Sequence, residues 1–409
     1  MLREIPVHKI EIGMYVAELD RPWLGTPFPT QGFYIRDKDQ VIQLTQICDS
    51  VFVDPRRIDT TITPQEHPVP DQPKPKPKPK IAGKSRLRPV APVEYEDAEE
   101  FEHEVKAARG VISNAAELFQ PIIAGLASKG VAEIQILKQA VDPLVDSVLR
   151  NKDALITLLR VQKFDSYTYS HCISVAIWAT LLGRQLGFRP EEIKTLALAC
   201  SLQDVGKLKV PKAILDKPGP LEPEETKIVA KHVEHSLDML TESDGLGDDV
   251  LDIVRWHHER CDGSGYPDGL VGDAIPIFAR IAGLVDSYDA MTSTRPHAVA
   301  RSSFAALLEL REISPELFQT ELVEHFTQAI GIFPNGSLVE LSTGEVAIVI
   351  AQNIARRLRP KIMLILDDMK RRRNEFLIRD LSNLPASEVS IARELGQGEF
   401  GINAEDYFV

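Results

Sequence analysis

The sequence predicts a mainly α protein. An all-helical domain is preceded by a small β-rich domain and followed by a small β-containing extension. Three observations predict this. From about 130 to 335, apolar residues recur at spacings of three and four, as in "AVDPLVDSVLRNKDALITLLRV" and "SHCISVAIWATLLGRQLG". Residues 1–66 are instead rich in β-branched and aromatic residues. From 337 the helical period gives way to short apolar runs broken by turn residues.

In residues 1–66, "MYVAELD", "GFYIRD" and "SVFVDP" read as short strands, with turns at Gly25 and Pro27. Residues 67–93 read as a linker. Its core, Pro68 to Lys80 ("PVPDQPKPKPKPK"), alternates proline with lysine, which lacks regular backbone donors and repels itself. A connecting helix is expected over 94–135. Its helical pattern begins in the acidic run "EYEDAEEFEHE", Glu94 to Glu104. The helical domain spans 136–335. Within it Pro190 and Pro223, each followed by two glutamates, mark first turns of helices. In the extension, 336–409, a hairpin is expected around Thr343-Gly344, and "KIMLILDD" and "EFLIRDLS" read as further strands.

Composition narrows the function classes. The chain has 409 residues, enough for two or three domains, and a net charge of −13. That charge argues against non-specific binding to nucleic-acid polymers or anionic membranes. The N-terminal sequence has no apolar run long enough for a signal peptide, and no window suits a membrane span. Cys48, Cys172, Cys200 and Cys261 are scattered and form no CxxC pair, so neither a disulfide framework nor a zinc knuckle is expected. A reducing, cytoplasmic setting fits this usage.

The chemistry concentrates in the helical domain. His171 lies in an apolar helix, Gln203 and Asp204 interrupt "LALACSLQDVGKL", and His232 sits in "AKHVEH". His257 and His258 precede a glycine-rich loop, and Asp286 interrupts "ARIAGLVDSYDAM". Burying an aspartate in an apolar helix is costly unless it is paired or coordinates a metal. Imidazole and carboxylate together suit first-row transition metals. Two such ions sharing one carboxylate can activate water against a phosphodiester.

The stretches "DSYTYSHCISVA", "SLQDVGKLKVPKAILDKPGPLEPEE", "KHVEHSLDML", "HHERCDGSGYPDGL" and "IPIFARIAGLVDSYDAMTSTRPH" resemble, in order and spacing, the HD-GYP family of HD-domain phosphohydrolases. The leading β-rich domain resembles a region of unknown function that often precedes them. The resemblance implies a metal-dependent phosphodiesterase that opens cyclic di-GMP to the linear dinucleotide pGpG and/or GMP. It implies two divalent ions, iron or manganese first, nickel or zinc as alternatives. Their ligands would be His171, Asp204, His232, His257, His258 and Asp286, with Asp204 bridging. Lys207 matches a lysine that contacts substrate phosphate, and Arg295 matches a position that adds positive charge near the nucleotide. The loop Asp262, Gly263, Gly265, Tyr266, Pro267 matches a contact surface for substrate or for diguanylate cyclase (GGDEF) domains. The sequence leaves oligomeric state open, a homodimer included.

One position departs from the family. Gln203-Asp204 stands where the family has His-Asp, so an amide replaces an imidazole; if that imidazole would bind an ion along with His171, Asp204 and Asp286, that ion loses a ligand. A glutamine oxygen ligates such metals more weakly than imidazole does. His235, one turn after His232, is read as a solvent-facing helical residue. Tyr167 stands where trinuclear members carry a carboxylate, so two ions are expected, not three. The alternative expectation is a degenerate module that binds cyclic di-GMP or a cyclase partner without efficient hydrolysis.

Overall fold

The computed structural model describes residues 3–19, 33–35, 40–41, 44–45, 48 and 50–58. From 87 onward it describes all residues except 88, 90, 130–132, 162–166, 244, 294–299, 354–355, 357, 386, 397, 403–406 and 408–409. The turns at Gly25 and Pro27, the Pro68–Lys80 segment and Arg295 lie outside the described residues. The chain divides into two compact units, Met1–Pro77 and Lys78–Val409.

The first unit holds a four-stranded sheet of β1 (Arg3–Pro6), β2 (Met14–Leu19), β3 (Phe33–Tyr34) and β4 (Ser50–Ile58), in the order β1-β4-β2-β3. Val16, Ile35, Val51 and Val53 pack between the strands' inner positions. The reading that ended the last strand at Pro55 is corrected, because β4 continues to Ile58. Proline is tolerated there for two reasons. Pairing with β1 ends at Val53, and a register shift between Met14 and Val16 of β2 bulges the ladder opposite.

The second unit opens on α1 (Phe101–Lys129), which starts seven residues later than the acidic run suggested. Residues 94–100 form no regular element and are bonded elsewhere. Ala98 N and Glu99 N donate to Arg150 O, and Asn151 Nδ2 donates to Glu99 O. The helix is not a free connector. Ala108, Ile112, Ala115, Phe119, Ile122 and Leu126, spaced by threes and fours, bury one stripe in the core of the helical domain.

That core is built from α2 (Ile134–Arg150), α3 (Ala154–Val161), α4 (Tyr167–Leu186), α5 (Pro190–Leu202), α6 (Pro223–Ala230), α7 (His232–Thr241), α8 (Asp248–Trp256), α9 (Ile277–Thr292), α10 (Ser303–Leu317) and α11 (Thr320–Ile330). The two expected proline starts are found. Pro190 and Pro223 begin α5 and α6, and Glu192 and Glu225 accept from the backbone N–H of Arg189 and Glu222 at 2.8 Å each. Helices α4 and α9 are central. Every residue of α4 from His171 to Arg184 is buried, and α9 is buried almost throughout from Ala279 to Asp289. His171, Asp286 and Asp289 on these two helices therefore sit among protein groups.

A five-stranded antiparallel sheet closes the unit: β5 (Leu338–Leu341), β6 (Val346–Ala351), β7 (Lys361–Leu366), β8 (Arg372–Asp380) and β9 (Ile391–Glu394), ordered β8-β7-β6-β5-β9. The hairpin at Thr343-Gly344 joins β5 to β6 as expected. Glu394 at the end of β9 fastens the sheet to the helices, accepting from Arg160 Nη2 at 3.1 Å and Phe304 N at 2.9 Å. No helix among the described residues is long and apolar enough to cross a membrane.

Candidate metal centre

Asp204 sits just after α5, where a short 3-10 turn (Val205–Lys209) carries the chain under α7. Gly206 makes this approach fit. A Cβ there would lie 2.0 Å from His232 O and 2.5 Å from Ser236 N. Gly206 N also donates to Ser236 Oγ, which in turn donates to Gln203 O. The glycine of "DVGK" is thus the reason the Asp204 carboxylate reaches the first residue of α7.

Two groups of donors meet at that carboxylate. Asp204, His232, His257 and His258 place one ligand atom each within 4.8 Å of one another, and so do His171, Asp204 and Asp286. Asp204 divides its oxygens between them. Oδ1 lies 3.2 Å from His232 Nε2 and 3.8 Å from His257 Nε2, and Oδ2 lies 3.1 Å from His171 Nε2. Asp286 Oδ1 is 3.2 Å from the same His171 nitrogen. The His258 ring lies 4.9 Å from His232 and 4.1 Å from His257.

The rings are held by their far sides. His232 Nδ1 pairs with Val229 O and His257 Nδ1 with Val254 O, each at 2.7 Å. His171 Nδ1 pairs with Asp289 Oδ2, also at 2.7 Å. Each Nδ1–H is thereby spent, and each Nε2 faces the Asp204 carboxylate.

This arrangement fits a cation. In its neutral form His232 turns a lone pair toward the Asp204 oxygen 3.2 Å away, an arrangement of two acceptors that is unfavourable unless a cation lies between them. Asp204 Oδ1 and His258 Nε2 are buried without a hydrogen-bond partner among the described residues. Two carboxylates and four imidazoles are the donor set of a first-row divalent ion.

Charge states agree. Burial opposes the charge on Asp204, but Lys207 and then the His171 and His232 rings outweigh it and hold the carboxyl well below the usual range. Asp286 is likewise held low despite burial, chiefly by His171. Burial pushes His257 down to about 4, with His232 adding to the effect, and pushes His258 well below the ordinary value, with His257 adding. Both are therefore neutral donors at pH 7. Burial also disfavours charge on His171, yet Asp204, Asp286 and Asp289 together raise it well above the ordinary value. A metal ion binding there would displace that proton.

The remaining expected residues fall as follows. Lys207 Nζ contacts Asp204 Oδ2. Gln203 is fully buried, and neither Oε1 nor Nε2 has a hydrogen-bond partner among the described residues. His235 is half-buried and belongs to neither donor group. The glycine loop returns to the histidines. Tyr266 N donates to His258 O at 3.3 Å, and a Cβ on Gly265 would lie 2.4–2.5 Å from the backbone of residues 258–260. Gly265 is needed for close contact with the two-histidine segment, a reason different from turn flexibility alone. Asp262 accepts from Ser264 N and Oγ and so caps its own turn.

Two residues inside the quoted motifs carry roles the sequence reading did not give them. Glu259 accepts from the backbone N–H of Asp268, Gly269 and Leu270 at 2.7–3.1 Å and so anchors the loop. Asp289, three residues after Asp286 on one face of α9, orients His171. That spacing was the available signal.

Comparisons with known proteins agree with this picture. Residues 144–321 match the HD domain family, and residues 2–135 match a domain of unknown function (DUF3391). The chain is 32% identical over 365 residues to a cyclic di-GMP phosphodiesterase of Pseudomonas aeruginosa, covering 88% of this chain and 84% of that protein. It is 36% identical over 177 residues to a cyclic di-GMP phosphodiesterase response regulator of Xanthomonas campestris, covering 43% of this chain and 47% of that protein. A 3'3'-cGAMP-specific phosphodiesterase of Vibrio cholerae is 36% identical over 171 residues, 40% of this chain and 33% of the relative.

Proposed function

The chain belongs to the HD-GYP family of HD-domain proteins, and on that premise we propose that it is a metal-dependent phosphodiesterase that hydrolyses cyclic di-GMP to pGpG and/or GMP. The observation that carries this is the division of the Asp204 carboxylate between two donor groups. Two divalent ions held there, iron or manganese in the first instance, would supply Lewis acidity toward a phosphodiester and its water.

The chain's own residues do the rest. His232, His257 and His258 with Asp204 would hold one ion, and His171, Asp204 and Asp286 would hold the other. Lys207, beside Asp204, is within reach of a phosphate drawn to the centre and offsets its negative charge. Arg295 is assigned the same task on the nucleotide. The loop Asp262–Pro267 borders the His258 ring, and we give it contact with substrate or with a diguanylate cyclase domain. A cytoplasmic setting follows from a second-messenger substrate. We keep the domain divisions at 1–66, 67–93, 94–135, 136–335 and 336–409, and the packing of Phe101–Lys129 supports counting that helix with the helical core.

A second reading is favoured by Gln203. An amide, with both ends buried and unbonded among the described residues, stands where the family has an imidazole. This reading is a module that binds cyclic di-GMP or a cyclase partner but cuts poorly. One sample decides: anaerobic purification, metal analysis, and turnover of cyclic di-GMP with 3'3'-cGAMP alongside. Near two ions per chain with a linear product supports the enzyme. One ion or none, with nucleotide bound and uncut, supports the module. Faster turnover of 3'3'-cGAMP would overturn the substrate assignment alone.

A further inference from the structure

The three inward-facing rings are not held alike. His232 and His257 pair their Nδ1 with neutral backbone carbonyls three residues earlier in the chain. His171 pairs its Nδ1 with a carboxylate from a different helix, Asp289 on α9. Asp289 is only 3% exposed. Its Oδ1 accepts from Trp178 Nε1 at 3.3 Å, and its Oδ2 also lies 3.4 Å from Ser293 Oγ. Trp178 is itself packed edge-on against Tyr288, so the carboxylate is held from two sides. A charged acceptor binds an N–H more strongly than a carbonyl does, and it makes the opposite imidazole nitrogen a better donor to a cation. The ring so treated is the one in the smaller donor group, the group that the family's imidazole at position 203 would have joined.

We propose that Asp289 is a positioning residue that fixes the His171 ring and strengthens its Nε2, so that His171, Asp204 and Asp286 hold a divalent ion without an imidazole at position 203. This rests on the metal-centre reading above. Asp289 does not touch the ion or the substrate, and its effect runs through His171.

The test is Mn²⁺ binding to metal-stripped full-length chain under anaerobic conditions, by equilibrium dialysis with elemental analysis. The parent is expected to bind two ions in two affinity classes. Asp289→Asn keeps the volume and an acceptor oxygen but loses the charge. It is expected to weaken one class by about 10–100-fold and leave the other unchanged. Loss in both classes equally, or in neither, overturns the proposal. A parent that binds no Mn²⁺ overturns the metal-centre reading itself. Trp178→Phe removes the indole donor to Asp289 while keeping the His171 pair. It is expected to lower thermal stability without changing either affinity, and an equal affinity loss there would make the effect one of packing and overturn the proposal. A further readout uses the Zn²⁺-loaded, ¹⁵N-histidine-labelled chain. The His171 Nδ1–H resonance is expected at lower field than those of His232 and His257, and to move upfield in Asp289→Asn. Three equivalent resonances in the parent would contradict the inference.

Discussion

Tyr266 lies against His258 with ring centroids 4.7 Å apart and planes 26° from parallel. The stack joins the glycine loop to the candidate metal centre, so the position of the loop and that of a candidate ligand are one structural question. Glu259 fixes the other end of the loop by taking three consecutive backbone N–H groups. Phenol stacking and a buried carboxylate therefore hold the loop against the candidate metal centre.

Glu259→Gln is expected to loosen the loop while leaving the helices intact. One carboxylate oxygen becomes an NH₂ facing backbone donors, a change that costs about 1–3 kcal/mol. Hydrogen exchange at the amides of 268–270 should speed up more than exchange in α4 or α9. Uniform acceleration across the domain would show that Glu259 supports the whole fold and not the loop.

Gly206→Ala is expected to be severe. The added Cβ would meet backbone atoms of His232 and Ser236, which cannot move aside without shifting α7. Overpacking of this kind costs about 1–3 kcal/mol or more. Purified variant should carry less metal than the parent and melt earlier. Full metal content with an unchanged melting temperature would mean that the 3-10 turn is free to move and that the close approach does not set the Asp204 position.

Gln203→His replaces a buried, unbonded amide with the imidazole that the family carries. Tighter binding of one of two Mn²⁺ ions, with faster turnover, is the expected outcome. Turnover that is already fast and does not change on substitution would remove the basis for the degenerate-module reading.

Glu104 gives the protein an acid-sensitive contact between α1 and α2. Its burial would raise the carboxyl, but hydrogen bonds from Arg150 and Ser147 hold it below its ordinary 4.5. A carboxyl depressed on folding stabilises the native state above the unfolded value and loses that contribution as pH falls through the folded value. Glu104→Gln should therefore be less stable than the parent at pH 7, by about 2 kcal/mol. The gap should narrow as pH falls below 4.5, as read from denaturant melts of parent and variant at matched pH. A gap constant between pH 7 and pH 3 would show that the ionised form contributes nothing.

Much of the site was legible in the sequence because its chemistry is carried by residue types that are costly in apolar helices. His171, Asp204, His232, His257, His258 and Asp286 stand out against the helical period around them, and the proline–glutamate starts of α5 and α6 could be read directly. Weaker signals failed for physical reasons. Strand β9 is short, shows no alternation in burial, and pairs with β5 some fifty residues earlier. Strand β1 is only four residues long and lies against the far end of its own unit. The acidic run before Phe101 has helical composition, but its backbone bonds to the end of α2 instead.

The sequence by itself determined a helical domain between two β regions, the donor types of a metal centre, and the amide at 203 that sets this chain apart. The tertiary structure decided which donors lie together, because Asp204 gives one oxygen to each group only once α4, α5, α7, α8 and α9 are packed. It also decided that His171 leans on a carboxylate while His232 and His257 lean on carbonyls, since Asp289 and His171 are 118 residues apart and meet only across the core. Periodicity reports which face of a helix is buried. Which side chain meets which across that face depends on the packing of whole helices, and no local pattern encodes it.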